Sequence, residues 1–236
     1  MCFHNALSVI AQKLENRYNA KFEQQSKFEP IYHGHAFGYM KWPVVTNEKI
    51  NKIQEYNWGL IPGWVKSKEE AQKIRTYTFN AQSETAFEKP SFRNSIKSKR
   101  CLIPSTGFFE WQMVNSKKYP YFISLKNQEI FSMAGLWEEW KDKQTDEIIN
   151  SFSILTTVAN PMMEKIHNIK KRMPLILTVE NESVWLSEKT SKETILSICK
   201  PFDDNLMQAY NVSKLITSKT ENTNIIEVQN RFDYFN

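Results

Sequence analysis

The 236-residue sequence contains only three cysteines, Cys2, Cys101 and Cys199. They lie far apart with no CxxC pair, which argues against a disulfide framework and a cysteine-rich zinc site. Glycine is scarce at six residues and proline numbers nine, a balance that excludes fibrous and disordered classes. No apolar run approaches the roughly 18 residues needed to cross a membrane. The opening Met1-Cys2-Phe3-His4-Asn5 lacks the basic start, apolar stretch and small-residue cleavage site of a secretory signal. A cytoplasmic protein is therefore expected. There is no repeat, low-complexity block or Gly/Ser linker to divide the chain, so one domain over residues 1–236 is expected.

What is present describes a chain able to bury a core, with 41% hydrophobic and 24% charged residues. The net charge of +5 weakly favours an anionic partner. Thirteen per cent aromatics, including seven tryptophans, is more unusual, and rings left outside the core can stack on unpaired bases.

Local pattern predicts an amphipathic helix over 5–19, where Leu7, Ile10, Ala11, Leu14 and Tyr18 recur at helical spacing. Short polar helices or turns are expected at 67–74 and 83–98, the second interrupted at Pro90. Strands are expected at 100–104, 107–112, 120–125, 130–136, 152–157 and 173–178, all rich in β-branched and aromatic residues. Asn160-Pro161 reads as a helix start, with Asn as cap and Pro in the first turn, and further helices are expected near 181–188 and 191–199. Strands and helices in no regular βαβ order suggest an α+β fold, a mainly antiparallel, barrel-like sheet with peripheral helices.

Few residues offer chemistry on local pattern alone. His33 and His35 alternate on an extended segment and could share a face as metal ligands, but no third ligand stands beside them. Glu110 lies among large rings in Gly107-Phe108-Phe109-Glu110-Trp111. Alternation could point it to solvent, or inward, where desolvation would raise its pKa and suit it to proton transfer. His167 precedes Lys170, Lys171 and Arg172, the setting of a surface histidine. Cys101 and Cys199 read as packing residues.

The ordered segments carry more. Met1-Cys2 is followed by Trp58-Gly59-Leu60-Ile61-Pro62-Gly63-Trp64, then Phe79-Asn80-Ala81-Gln82-Ser83-Glu84-Thr85, then Arg100-Cys101-Leu102-Ile103-Pro104-Ser105-Thr106-Gly107-Phe108-Phe109-Glu110-Trp111. Thr156-Thr157-Val158-Ala159-Asn160, Ile166-His167-Asn168 and Arg172-Met173-Pro174-Leu175-Ile176-Leu177 complete the series. From Met1 to about Val228 the chain resembles the SRAP family, SOS-response-associated peptidases that crosslink to abasic sites in DNA. The resemblance implies an active site of Cys2, Asn80, Glu110 and His167, with no cofactor or metal.

A terminal cysteine suits that chemistry physically. The open abasic sugar carries an aldehyde, and an amine and a thiol on adjacent carbons can close on it as a thiazolidine ring. An α-amine with a pKa of about 7.7 to 8 is neutral at pH 7 a few hundred times more often than a lysine near 10.4. Met1 must first be removed, and the resemblance implies self-processing assisted by the same site. Glu110 would transfer protons, Asn80 would hold the amine or a sugar hydroxyl, and His167 would shuttle protons near the opened sugar. Weak abasic-site lyase activity would follow from the same imine.

Family members commonly carry arginine where this chain has His4 and Gln82. Arg75, Lys73 and Arg172 are candidates to replace those phosphate contacts, with Trp58 and Trp64 as walls against bases and His4 contributing as a cation only when protonated. The expected partner is single-stranded DNA containing abasic sites, bound by a monomer. A Cys2/His167 thiol hydrolase and a non-covalent single-strand binding module are the competing classes.

Overall fold

A strand covered on both faces must bury every residue, whereas a strand covered on one face shows alternation. Both kinds occur here, and the fully covered ones build the centre of the molecule. The computed structural model describes residues 2–24 and 28–234. Strand β1 spans His4–Leu7 and helix α1 Ala11–Tyr18; β2 (Lys21–Phe22), β3 (Ile31–His35), β4 (Lys41–Thr46) and β5 (Lys52–Trp58) follow. Helix α2 (Lys68–Arg75), β6 (Asn80–Gln82) and α3 (Ser95–Ser98) lead into the long strands β7 (Arg100–Ser105), β8 (Gly107–Val114), β9 (Lys117–Leu125), β10 (Phe131–Lys141) and β11 (Ile148–Val158). Helix α4 (Pro161–Ile166), β12 (Arg172–Pro174), β13 (Ile176–Leu177), α5 (Val179–Leu186), α6 (Lys192–Ile198) and β14 (Met207–Asn211) complete the order.

Five strands close a ring. Strands β11, β10, β7, β4 and β5 pair in that order, and a short parallel contact, Asn57 with Ser151 and Trp58 with Phe152, joins the two ends. Closure removes the exposed edges that an open sheet would present. Its core is aromatic: Trp58 stacks on Phe152 at 5.8 Å and meets Trp42 edge-on at 6.2 Å. A second sheet, in the order β14-β9-β8-β1-β3, packs beside the barrel with a smaller core of Ala6, Phe109, Phe122, Val212, Ile216 and Val228. The α+β, mainly antiparallel barrel architecture is thus as the sequence suggests, with six α-helices among the described residues.

Two local expectations change. The helix expected over 5–19 is confined to Ala11–Tyr18 and its first residues belong to strand β1, because Ala6 and Leu7 face the two different cores and β1 is hydrogen-bonded to both β3 and β8. Ile10, counted as part of the helical stripe, is exposed and extended just before α1. The stretch 83–98, expected as short helices or turns, is mostly turns with Ser95–Ser98 helical. The strand expected at 173–178 splits: Pro174 has no N–H to donate, β12 pairs with β11, and β13 crosses to pair with β10. Helix α4 starts as expected, with Asn160 Oδ1 accepting from the Met163 N–H at 2.9 Å.

Arg100 shows how the helical layer is tied to the barrel. It is fully buried, and its guanidinium donates to the carbonyls of Ile96, Lys97, Trp185 and Ser187, stitching α3 and α5 to β7. Replacing Arg100 with Met leaves four carbonyls without that donor. A loss of about 3 kcal/mol or more is expected in urea unfolding. Lys13→Ala, which removes an exposed ion pair with Glu129, should cost under about 1 kcal/mol in the same assay.

Candidate active site

Strand β8 explains why Glu110 is inside. Phe108 packs in the larger core and Phe109 in the smaller one, so β8 is covered on both faces. Alternation then puts Glu110 on the Phe108 side, where it is 5% exposed. Desolvation pushes its carboxyl up to about 7 from an ordinary 4.5.

Cys2 comes to the same place because β1 lies against β8, pairing Asn5 with Phe108 and Ala6 with Gly107. Its thiol is fully buried and sits 3.7 Å from the His4 carbonyl oxygen. Burial first, and the nearby Glu110 carboxylate second, hold the thiol well above the usual range, so it is protonated at neutral pH. His167 follows α4. Its Nδ1 lies 2.8 Å from the Arg172 carbonyl, which can only accept, so Nδ1 carries the hydrogen and Nε2 is the basic nitrogen of the neutral ring. That Nε2 lies 4.0 Å from Glu110 Oε2. Desolvation holds the imidazole below its ordinary pKa.

Asn80 enters from β6, which runs parallel to β11 and pairs Asn80 with Ile154. Phe79, its neighbour, packs edge-on against Phe3, the neighbour of Cys2, at 6.2 Å. Asn80 is 8% exposed, and neither its Oδ1 nor its Nδ2 has a hydrogen-bond partner among the described residues. A buried amide with both ends unpaired is costly, and such groups are usually satisfied by a ligand or water. The fold thus gathers a thiol, a carboxyl held near neutrality and an imidazole from positions 2, 110 and 167, and the Phe79–Phe3 contact brings the strand that carries the Asn80 amide toward the Cys2 segment. Together they can donate and accept protons at an electrophile and hold a hydroxyl beside it.

The other candidates divide. Trp58 is no wall for bases: it is fully buried, its Nε1 donating to the Phe79 carbonyl. Trp64 is 53% exposed and available. Gln82 is exposed at the end of β6, and Lys73 is exposed on α2. Arg172 makes a double ion pair with Glu84 and donates to the Thr156 carbonyl, so its charge is already matched. The Arg75 guanidinium lies 4.5 Å over the Tyr39 ring and donates to the Trp58 carbonyl. His4 is not a cation at neutral pH, since burial pushes its pKa down to about 3. No group of three side chains among the described residues forms a metal site, and both nitrogens of His33 are engaged, by His4 and Thr223.

Sequence reasoning missed two features. Phe37, Tyr39 and Tyr77 are exposed, and Phe37 and Tyr39 pack on Phe79 beside Phe3. A recess of about 930 Å³ opens beside Glu110, lined by His4, His35, Trp111, Lys118, Lys214 and Lys219 among others. The density of rings in His33-Gly34-His35-Ala36-Phe37-Gly38-Tyr39 was the available signal for the first; no local signal joins residues 4, 111 and 214 for the second.

The sequence profile of the SOS response associated peptidase (SRAP) family matches residues 1–219. The chain is 40% identical over 182 residues, 76% of its length and 78% of the relative's, to "Abasic site processing protein YoqW" of Bacillus subtilis (strain 168). It is 31% identical over 200 residues to "Abasic site processing protein HMCES" of Xenopus tropicalis, covering 75% of this chain and 57% of that one. A crystal structure of a protein from Bacteroides thetaiotaomicron superposes with a TM-score of 0.93 at 43% identity, over 98% of this chain and 100% of the other.

The Glu110 environment has a stability consequence. Its folded-state pKa near 7 exceeds the ordinary 4.5, so the folded state binds the extra proton. The carboxyl therefore costs nothing below pH 4.5, destabilises progressively as pH rises to about 7, and carries its full cost above that. At 1.36 kcal/mol per pH unit the full cost is about 3 kcal/mol. Glu110→Gln should unfold at higher urea than wild type at pH 8, with the gain shrinking as the pH is lowered toward 4.5. A pH-independent difference would contradict this account.

Proposed function

The chain belongs to the SOS response associated peptidase (SRAP) family, and from that premise we propose that it processes abasic sites in single-stranded DNA by forming a thiazolidine crosslink at Cys2. The observation that carries this reading is a buried carboxyl with a pKa near 7, next to a buried thiol and an imidazole, with the unpaired Asn80 amide brought in on β6.

Met1 lies outside the described residues, and its removal is a condition of the reading. The site's own proton-transfer groups would assist hydrolysis of the Met1–Cys2 bond. The freed α-amine then attacks the C1′ aldehyde to give a carbinolamine. Glu110 in its acid form donates a proton to the departing hydroxyl, one water leaves, and a protonated imine remains beside the Glu110 carboxylate. The Cys2 sulfur adds to the imine carbon as its proton passes to that carboxylate, which restores the acid, and the nitrogen keeps the hydrogen it already carries. The net change is aldehyde plus aminothiol to thiazolidine plus one water.

A carboxyl with a pKa near 7 serves both directions at neutral pH, because substantial fractions of the acid and its conjugate base are present. A protonated Cys2 thiol is suited to the second step, where its proton must be delivered anyway. Asn80 holds the amine or a sugar hydroxyl. His167 takes or gives protons near the opened sugar, and β-elimination from the same imine would produce slow strand cleavage. The thiol-hydrolase alternative needs an imidazole on the thiol, whereas the Cys2 sulfur lies against the His4 carbonyl and the His167 Nε2 points toward Glu110. A monomer is sufficient for this scheme.

Protein with a free Cys2 amine, mixed with a single-stranded oligonucleotide bearing one abasic site, should give a band that stays shifted on a denaturing gel. Cys2→Ala and intact DNA should give none. Glu110→Gln should slow band formation about 100-fold or more. Absence of a denaturation-resistant band with the wild-type protein would end the crosslinking reading.

A further inference from the structure

The recess beside Glu110 contains a hydrogen-bonded chain that the crosslinking scheme does not use. Thr223 Oγ1 lies 2.8 Å from His33 Nδ1, and His33 Nε2 lies 2.8 Å from His4 Nδ1. The two imidazoles are stacked 9° from parallel, and the Trp111 edge meets the His4 ring at 4.6 Å. Residue 4 is held in this position by β1, which pairs His4 with His35 across to β3. The recess also carries Lys118, Lys214 and Lys219, all exposed. Among the described residues none of these lysines is in an ion pair.

The chain of bonds fixes what His4 can offer. Each neutral imidazole carries one hydrogen, and the bond between the rings uses one. If the Thr223 hydroxyl donates to His33 Nδ1, His33 Nε2–H donates to His4 Nδ1. The remaining hydrogen then sits on His4 Nε2, which makes no bond to any described residue. An acceptor placed in the recess selects this arrangement. The opposite direction would turn a lone pair toward it.

We infer that this recess seats the phosphodiester adjoining the abasic site, and that the Thr223–His33 pair positions His4 as a neutral Nε2–H donor to a phosphate oxygen, with the lysines supplying the charge. The inference rests on the abasic-site reading and deepens it. It gives the chain a directional contact where an arginine would supply both direction and charge. The two contributions are separable here: the hydrogen bond comes from His4, and the salt-sensitive attraction comes from Lys118, Lys214 and Lys219. A neutral donor releases no counterion, so its loss weakens binding without altering salt dependence.

The test uses an oligonucleotide containing tetrahydrofuran, an abasic analogue without an aldehyde, so binding is read apart from crosslinking. For His4→Leu, the dissociation constant should rise about tenfold with the slope of log Kd against log salt unchanged. His4→Gln, which keeps an amide donor, should recover most of the loss, and Thr223→Val, which leaves His4 itself intact, should weaken binding a few-fold. Lys219→Ala should instead flatten the slope by about one. Replacing the phosphate next to the analogue with a methylphosphonate should erase the difference between wild type and His4→Leu in the diastereomer whose methyl group takes the place of the accepting oxygen.

Unchanged affinity in both His4→Leu and Thr223→Val would overturn the inference. So would a slope loss of about one in His4→Leu, or a His4 effect that survives in both methylphosphonate diastereomers at every placement. If the wild type still crosslinks aldehyde-bearing DNA in those cases, only this inference falls. If it neither crosslinks nor binds the analogue, the functional reading falls with it.

Discussion

The structure depends on keeping one carboxyl out of water. Strand β8 is sandwiched between two cores, with Phe108 in one and Phe109 in the other, and this puts Glu110 where ionisation is held back from the usual carboxylate range to about neutral pH. The same sandwich needs β1 as a neighbour, since β1 fills the place between β8 and β3 and contributes Ala6 and Leu7 to the two cores. Cys2 is therefore buried as a by-product of covering β8. The stability lost by burying an acid is balanced elsewhere in the fold, in a barrel closed by aromatic contacts and laced to its helices by Arg100.

Charge is distributed less freely than a net +5 suggests. Arg100 is spent on four carbonyls, Arg172 on Glu84 and Arg17 on Glu182, and Arg75 lies over Tyr39. The cations left for an anionic partner near the site are lysines, of which Lys214 lies 5.4 Å over the Tyr119 ring while Lys118 and Lys219 are hydrated point charges on flexible stems that attract without fixing geometry. Orientation near Glu110 then falls to neutral groups, and His4 and His167 are placed beside it.

The sequence made some of this legible and hid the rest for physical reasons. Strands β7 to β11 were readable because their β-branched and aromatic runs are bounded by turn residues, and α4 because Asn160 and Pro161 punctuate its start. Strand β1 was not, since Leu7, Ile10 and Leu14 imitate a helical stripe and only pairing with β3 and β8 decides otherwise. The inward turn of Glu110 was one of two open readings, because residues 107–111 do not reveal that a second layer covers β8. Asn80 and His167 stood out only through resemblance to ordered family segments. Trp58 was misjudged as a surface ring since a tryptophan beside Gly59 gives no sign of the barrel seam it seals. The recess joining residues 4, 111 and 214 has no local signature at all.

The short parallel seam between β5 and β11 has a consequence in time. It joins residues 57–58 to residues 151–152, and β6 brings Asn80 to the same strand, so both contacts span some of the longer sequence separations in the molecule. Contacts of that kind form late, after local hairpins such as β8–β9 and β10–β11. During synthesis Cys2 emerges well before β11 and the turn that holds His167, so its surroundings are completed long after the residue itself is made. The buried setting of the Cys2 thiol is thus among the later parts of the fold to be assembled.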